Sequence, residues 1–208
     1  MKKFKIITAS DNELFNFVSP CLNSIKKCGY EPIFYNLGGL NFGIDFKSET
    51  SNKSRKKFPK KPFVIKHALE NISKNEWIAW IDIDCIMVES IDEVINKKFD
   101  IGLTFRKNHI NSGVSFWQHN DRALKFLDLW CQMSLTFNGD QNALNEICNI
   151  KSPEYINKTI KISGSKVKIF DAKIYNNFFF SKNQSEAKIL HYKSKYRNLF
   201  PFTEGKRL

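Results

Sequence analysis

The sequence predicts an α/β fold in which a mostly parallel central sheet is flanked by helices within a single domain. The chain has 208 residues, enough for one domain with a substantial core, and its 42% hydrophobic and 26% charged residues are typical of a globular protein. It opens with a strand–helix–strand pattern, which favours a parallel sheet. Residues 77–88, WIAWIDIDCIMV, are apolar enough for a strand covered on both faces.

The first elements follow from local patterns. Residues 4–10, FKIITAS, are rich in β-branched side chains and predict a strand. The next segment has apolar residues near helical spacing, and Asp11 or Asn12 is placed to cap this helix. Pro20 in its interior predicts a kink or a break. Residues 31–39, EPIFYNLGG, predict a second strand.

The rest of the chain alternates between helical and strand patterns, without an internal repeat. Residues 47–61 are polar and basic and predict a loop. The predicted helices are 62–73, 121–135 and one that starts near 139, and the predicted strands are 76–88, 100–105, 112–117, 166–180 and 187–193.

Charge and cysteine content limit the possible functions. The net charge of +12 favours anionic partners: nucleic acid, an acidic membrane or a phosphorylated small molecule. The five cysteines are an odd number without a CxxC pair, which argues against a zinc ribbon and against a closed disulfide framework. No run of 18 or more apolar residues is present, so we expect no transmembrane segment and a soluble, cytoplasmic protein of a bacterium or a virus-infected host.

Asp82 and Asp84 are the only charged residues in the apolar stretch 77–88. If this stretch is one strand, the two side chains point to the same side near its carboxyl end, where open α/β sheets bind ligands. A divalent cation would relieve the repulsion between the carboxylates. The alternative is structural: one aspartate caps the next helix and the other forms a salt bridge. Ser90 and Asp92 are better placed as caps, which favours the metal.

Two enzyme classes carry D-x-D after a hydrophobic strand. In haloacid-dehalogenase phosphatases the motif lies near the amino terminus and a later acidic pair completes the site, which this chain does not show. With its motif at residues 82–84, the chain resembles a small nucleotide-sugar glycosyltransferase of the GT-A fold. The likeness is to the glycogenin and bacterial lipopolysaccharide galactosyltransferase group and to the galactosyl/xylosyltransferase family, and it covers about residues 4–197. Four further segments carry it, in the family order: KKPFVIKHAL with Lys61 and Lys66, NSGV with Asn111, GDQNALNEI with Asp140 and Gln141, and ILHYKSKYR with His191.

The resemblance implies a GT-A domain with a nucleotide-binding half, about 1–88, and an acceptor-binding half, about 89–208. It implies a nucleoside-diphosphate sugar donor, most simply a UDP-sugar, and a glycan or protein-linked glycan acceptor. Asp82, Asp84 and His191 would hold Mn²⁺ or Mg²⁺. The donor would contact Thr8, Lys61, Lys66, Asp82, Ile83, Asn111, Ser112, Gly113, Lys193 and Arg197.

For catalysis, the resemblance assigns Asp140 and Gln141. Asp140 would bind sugar or acceptor hydroxyls or act as general base in an inverting enzyme, whereas Gln141 would lie beneath the anomeric carbon in a retaining one. The resemblance favours retention. From the residues alone, Asp140 could be a helix N-cap, and Asn111 could equally be a turn residue before a strand. A histidine between Leu190 and Tyr192, as His191 is, is more often a hydrogen-bonded core residue than a metal ligand.

Two other functions stay open at this stage. A nucleic-acid-binding module would explain the net charge and the basic segment at 53–61, but not the acidic pair at the sheet edge. A catalytically silent GT-A domain that only binds its ligands would keep the same motifs.

Overall fold

The computed structural model describes residues 4–38, 40, 42–46, 60–96, 98–137, 139–178 and 184–201. The loop predicted at 47–61 therefore falls almost entirely outside the described residues. Within them, no helix is long and apolar enough to cross a membrane.

The described part of the chain alternates between strands and helices. The strands are β1 (Phe4–Ser10), β2 (Pro32–Asn36), β3 (Ile44–Asp45), β4 (Trp77–Ile81), β5 (Cys85–Met87), β6 (Ile101–Arg106), β7 (His109–Gln118), β8 (Thr159–Ile162), β9 (Ser165–Asp171), β10 (Asn177–Phe178) and β11 (Ile189–His191). The helices are α1 (Phe15–Lys27), α2 (Lys61–Glu70), α3 (Asp121–Thr136), α4 (Asp140–Cys148) and the short α5 (Ala172–Tyr175).

Eight strands form the main sheet, in the order β3-β2-β1-β4-β7-β6-β9-β8. The strands β1, β2, β3 and β4 are mutually parallel, and β6 is parallel to β9. Only β7 and β8 run against their neighbours. The predicted α/β architecture with a mainly parallel sheet is confirmed.

Two apolar layers cover the sheet, one on each face. Ile6 packs into the layer with α1, and its neighbour Ile7 packs into the layer with α2 and α3. In β4, likewise, Ala79 faces α1 while Ile78 and Trp80 face the other helices. Successive strand residues point to opposite faces, so burial on both sides requires the continuous apolar runs of the sequence.

The run at 77–88 is not one strand, and this corrects the prediction. β4 ends at Ile81, residues 82–84 form a turn, and β5 belongs to a second sheet of order β10-β11-β5. The turn is closed by a hydrogen bond from the Cys85 backbone N–H to the Asp82 carbonyl, 3.0 Å. The sequence is apolar on both sides of the turn because β4 and β5 are each buried in their own sheet.

Two further local predictions are revised. The predicted strand at 166–180 is interrupted by α5, and α1 continues through Pro20 without a break. Asp11 begins the first helical segment as predicted, since its carboxylate accepts a hydrogen bond from the Glu13 N–H at 3.1 Å.

Candidate active site

The candidate site lies at the carboxyl end of β4, where the chain leaves the main sheet. The backbone N–H of Asp82 donates to the Gly113 carbonyl at 2.8 Å, which joins the turn to β7. Because Asp82 and Asp84 lie in a turn and not on one strand, their carboxylates meet different partners. Asp82 faces Lys61, and Asp84 faces His191.

Asp84 is buried between the side chains of His191 and Arg197. One carboxylate oxygen lies 3.2 Å from His191 Nε2, and the other accepts a hydrogen bond from Arg197 Nε at 2.8 Å. Burial alone would raise the pKa of Asp84, but the hydrogen bond and charge of His191 and the charge of Arg197 hold that pKa well below its usual range. Asp84 is therefore ionised at neutral pH.

The orientation of His191 is set by Asn176. His191 Nδ1 donates to Asn176 Oδ1 at 2.8 Å, because the Asn176 amide nitrogen already donates to Thr104 Oγ1 at 2.9 Å and to Asn111 Oδ1 at 2.8 Å. With the Nδ1 proton fixed, Nε2 points at Asp84. A lone pair facing a carboxylate is repulsive, so a proton or a metal cation must lie between them. Metal-binding histidines are commonly oriented in this way.

The sequence reasoning missed Cys85 as a neighbour of this pair. Among the described residues, Asp84, Cys85 and His191 place possible ligand atoms within 4.8 Å of one another. The antiparallel pairing of β5 with β11 sets Cys85 directly opposite His191. Burial, followed by the charge of Asp84, raises the pKa of the Cys85 thiol well above its ordinary value. A thiol is a soft ligand, whereas the carboxylate of Asp84 and the imidazole of His191 are ligand types that harder divalent ions accept.

Lys61 links Asp82 to Asp140 on the other side of the turn. Its ammonium lies 2.8 Å from Asp82 Oδ1 and 3.2 Å from Asp140 Oδ2, and it also contacts Ser112 Oγ at 3.1 Å. Burial alone would lower the pKa of Lys61, but Asp140 and Asp82 raise it above its ordinary value. Trp80 Nε1 donates to the same Asp82 oxygen at 2.8 Å. One oxygen of Asp82 is thus engaged within the protein.

Asp140 begins α4 but does not cap it, which excludes the capping role considered for it. The N-cap position is Gly139, and the Asp140 carboxylate instead accepts from Ser112 Oγ at 3.0 Å and pairs with Lys61. Burial tends to raise the pKa of Asp140, but Lys61 and Ser112 bring that pKa below its ordinary value.

Both ends of the Gln141 side-chain amide form hydrogen bonds with the backbone of β7. Its Oε1 accepts from the Ser112 N–H at 2.9 Å, and its Nε2 donates to the Ile110 carbonyl. The segment NSGV lies inside β7 and is not a turn before a strand. β7 bulges here: Leu103 pairs with Ser115 while Thr104 pairs with Asn111, so residues 112–114 leave the ladder with β6. The bulge carries Ser112 and Gly113 towards the turn at 82–84.

The described structure leaves four sequence-predicted residues outside this cluster or facing away from it. Thr8 is fully buried in β1 and lies against Cys21 of α1. Ile83 is buried in the core on the α1 side. Lys193 immediately precedes the 3-10 helix at Ser194–Leu199 and lies near His109. Lys66 pairs with Glu70 at 3.0 Å and Asp128 at 3.2 Å.

Helix geometry explains why Lys66 and Lys61 separate. Five residues along an α-helix rotate the side chain by roughly 140°. Lys61 therefore faces the sheet edge while Lys66 faces α3, and the structure gives no support to Lys66 as a donor-binding residue.

We expect replacement of Asn176 by alanine to weaken Mn²⁺ binding about 10- to 100-fold, since His191 would lose the partner that fixes its tautomer. Titration of Mn²⁺, followed by its electron paramagnetic resonance signal, measures this. Asn177→Ala is the matched control: Asn177 is equally buried, but its amide donates to the Lys173 carbonyl. Equal loss in both variants would contradict the role given to Asn176.

Comparison with solved structures shows the fold. A glycosyltransferase involved in the glycosylation of the major capsid of PBCV-1 is 15% identical, with a TM-score of 0.63 over 94% of this chain and 95% of that one. GlyE of Streptococcus pneumoniae TIGR4 is 12% identical, with a TM-score of 0.59 over 94% of this chain and 55% of that one. An active-site glutamine mutant of LgtC is 11% identical, with a TM-score of 0.52 over 91% of this chain and 87% of that one.

These likenesses, at low identity, establish the single GT-A domain that the sequence predicts. A sequence search finds no significant match among curated proteins. The family model described as nucleotide-diphospho-sugar transferase matches residues 78–197, more than half of the chain, and includes both aspartates of the turn as well as His191. The chain is therefore a glycosyltransferase that belongs to the nucleotide-diphospho-sugar transferase family.

Proposed function

We propose that the protein is a metal-dependent, retaining glycosyltransferase that moves a sugar from a UDP-sugar to a hydroxyl group of a glycan or protein-linked glycan. The observation that carries this proposal is the Asp84–His191 pair, with the imidazole oriented by Asn176, at the sheet edge beside the cluster of Lys61, Asp82 and Asp140.

The Asp84 and His191 side chains fit a divalent cation. Two adjacent ligands of an octahedral ion with bonds near 2.1 Å lie about 3 Å apart, and Asp84 Oδ1 and His191 Nε2 are 3.2 Å apart. A carboxylate and an imidazole suit Mn²⁺, with Mg²⁺ as the alternative. Such an ion supplies Lewis-acid stabilisation of the diphosphate leaving group. Asp82 would complete the site directly or through water.

Arg197 adds positive charge at the same place. Its guanidinium, held 2.8 Å from Asp84, is 40% exposed and lies next to the region that the diphosphate would occupy. We infer that it stabilises the negative charge that develops when the glycosidic bond of the donor breaks.

Retention is supported by the environment of Asp140. A general base works best when its pKa lies near the operating pH. The lowered pKa of Asp140 and its contacts with Lys61 and Ser112 make it a poor base but a good acceptor for sugar hydroxyls. Gln141 lies beside it, with its carbonyl oxygen directed at Ser112, and an active-site glutamine is known in LgtC.

Thermal denaturation tests this function. We expect UDP with Mn²⁺ to raise the midpoint of unfolding by roughly 5 to 10 °C at saturating ligand, and EDTA to cancel the gain. A gain from RNA but none from UDP and Mn²⁺ would contradict the proposal. Hydrolysis of a panel of UDP-sugars, with the product anomer assigned by NMR, separates an enzyme from a silent binding domain and retention from inversion.

A further inference from the structure

A cavity of about 410 Å³ lies on the Nδ1 side of the His191 ring. Two of its lining residues contact His191 directly: Asn176, through the 2.8 Å hydrogen bond, and Phe178, whose ring centroid is 5.4 Å from that of the imidazole. The volume is within the range of small-molecule sites. The cavity is therefore separated from the His191 imidazole by a single layer of side chains.

The inner surface of the cavity is mostly apolar. Phe105, Pro153, Ile156 and Phe178 line it from three different parts of the chain. The Phe178 ring contacts two groups that restrict its position: the His191 imidazole, and the Arg106 guanidinium, which lies over the Phe178 ring. Such a wall suits the C–H face of a pyranose ring, which is apolar although its hydroxyl groups are polar.

The charged groups of the cavity are mostly positive. Arg106, Lys107 and Lys173 line it, and Asp171 is the acidic residue among the lining side chains. The Asp171 carboxylate accepts a hydrogen bond from the Lys173 N–H at 2.8 Å and so caps α5. No ion pair joins a carboxylate of the described residues to Arg106, Lys107 or Lys173.

Arg106 is the most constrained of these cations. It is half-buried, and burial lowers its pKa from the ordinary value. The guanidinium lies over the Phe178 ring, which offsets part of the cost of burying its charge, but the described residues give it no carboxylate partner. A bound anion that pairs with the planar guanidinium would offset the remaining cost, which an uncharged glycan would not do.

We propose, on the basis of the proposed function, that this cavity binds the acceptor and that the acceptor is an anionic saccharide whose carboxylate or phosphate group pairs with Arg106. Lys107 and Lys173 at the rim would attract the same charge. The apolar wall would hold the sugar ring, and Asn176 and Phe178 would lie between that ring and the His191 imidazole.

Direct binding to the protein without donor tests this proposal. The probes are methyl glucoside, methyl glucuronide and methyl glucoside 6-phosphate, together with their galactose counterparts, which differ within each series only at C6. We expect an anionic member to bind at least about tenfold more tightly than the neutral one in isothermal titration, because a charge-assisted hydrogen bond is gained. Whether the uronate or the phosphate binds more tightly identifies the acidic group.

Arg106→Ala should abolish this preference, while Lys125→Ala, which removes one positive charge from an exposed site on α3, should leave it unchanged. Equal affinity for neutral and anionic probes, or a preference that survives in Arg106→Ala, would overturn the inference. The thermal shift of the wild-type protein with UDP and Mn²⁺ is measured in parallel. If that shift occurs without a charge preference, the acceptor inference alone fails; if the shift is absent, the transferase proposal itself fails.

Discussion

Replacement of Asp84 by asparagine is expected to reduce UDP-sugar hydrolysis and transfer by about 10³-fold or more. Asparagine keeps the size of the side chain but removes the charge that would hold the cation between Asp84 and His191. The same change removes the anion that holds Arg197 beside the site at 2.8 Å. Rates with Mn²⁺ and the thermal shift with UDP and Mn²⁺ should fall together.

The matched control is Asp121→Asn, an identical chemical change at a carboxylate that is 81% exposed on α3. This variant should keep both the rate and the thermal shift. A rate for Asp84→Asn within tenfold of the wild-type value, in protein that unfolds cooperatively, would show that Asp84 does not hold the metal.

The layout of the fold could be predicted from sequence because local patterns specify it. For β1, α1, β2, α3 and α4, the spacing of apolar residues and the polar residues at each end are visible in the sequence of the element itself. The strand β3 was missed because its 2 residues are too few to show a pattern. The strand β8 was missed although its sequence TIKI alternates between polar and apolar residues, because the alternation extends over only 4 residues. Their place in the sheet depends on pairing with β2 and β9.

The turn at residues 82–84 shows where local reasoning fails. Its residues include no glycine or proline, and apolar residues continue on both sides. What ends β4 is the approach of the β7 bulge, whose Gly113 carbonyl accepts the Asp82 N–H. That contact joins residues far apart in sequence, so no short stretch of the sequence shows where β4 ends.

Part of the candidate site's arrangement follows from the sequence. The resemblance led to Asp84 and His191, which the structure brings to 3.2 Å, and to Lys61 and Asp140, which it joins at 3.2 Å. It did not lead to Asn176 or Thr104, because both act through tertiary hydrogen bonds behind His191. By contrast, the sequence alone could have shown that Lys66 and Lys61 face different directions, because they lie five residues apart on one helix.

Gly113 packs so closely against His191 that there is no room for a side chain at this position. A Cβ added at this position would lie 2.6 Å from His191 Cε1, 2.8 Å from His191 Nδ1 and 3.0 Å from Asn111 Oδ1. The imidazole has little room to yield, because Asn176 holds its Nδ1 and β11 holds its backbone. We expect Gly113→Ala to displace the ring, weaken Mn²⁺ binding about 10- to 100-fold and reduce activity by at least about 10²-fold.

Overpacking also costs stability, about 1–3 kcal/mol, so activity alone would not identify the cause. Gly102→Ala provides the comparison, because its added Cβ would meet Phe170 at 2.7 Å and Phe116 at 2.8 Å, a crowding of the same degree within the apolar core. Both variants should lower the free energy of unfolding in urea, but only Gly113→Ala should lose Mn²⁺ affinity. If the two variants lose stability and Mn²⁺ affinity in parallel, Gly113 serves packing alone. If Gly113→Ala binds Mn²⁺ as the wild-type protein does, the imidazole that Gly113 touches is not a ligand, and the metal site must be sought elsewhere.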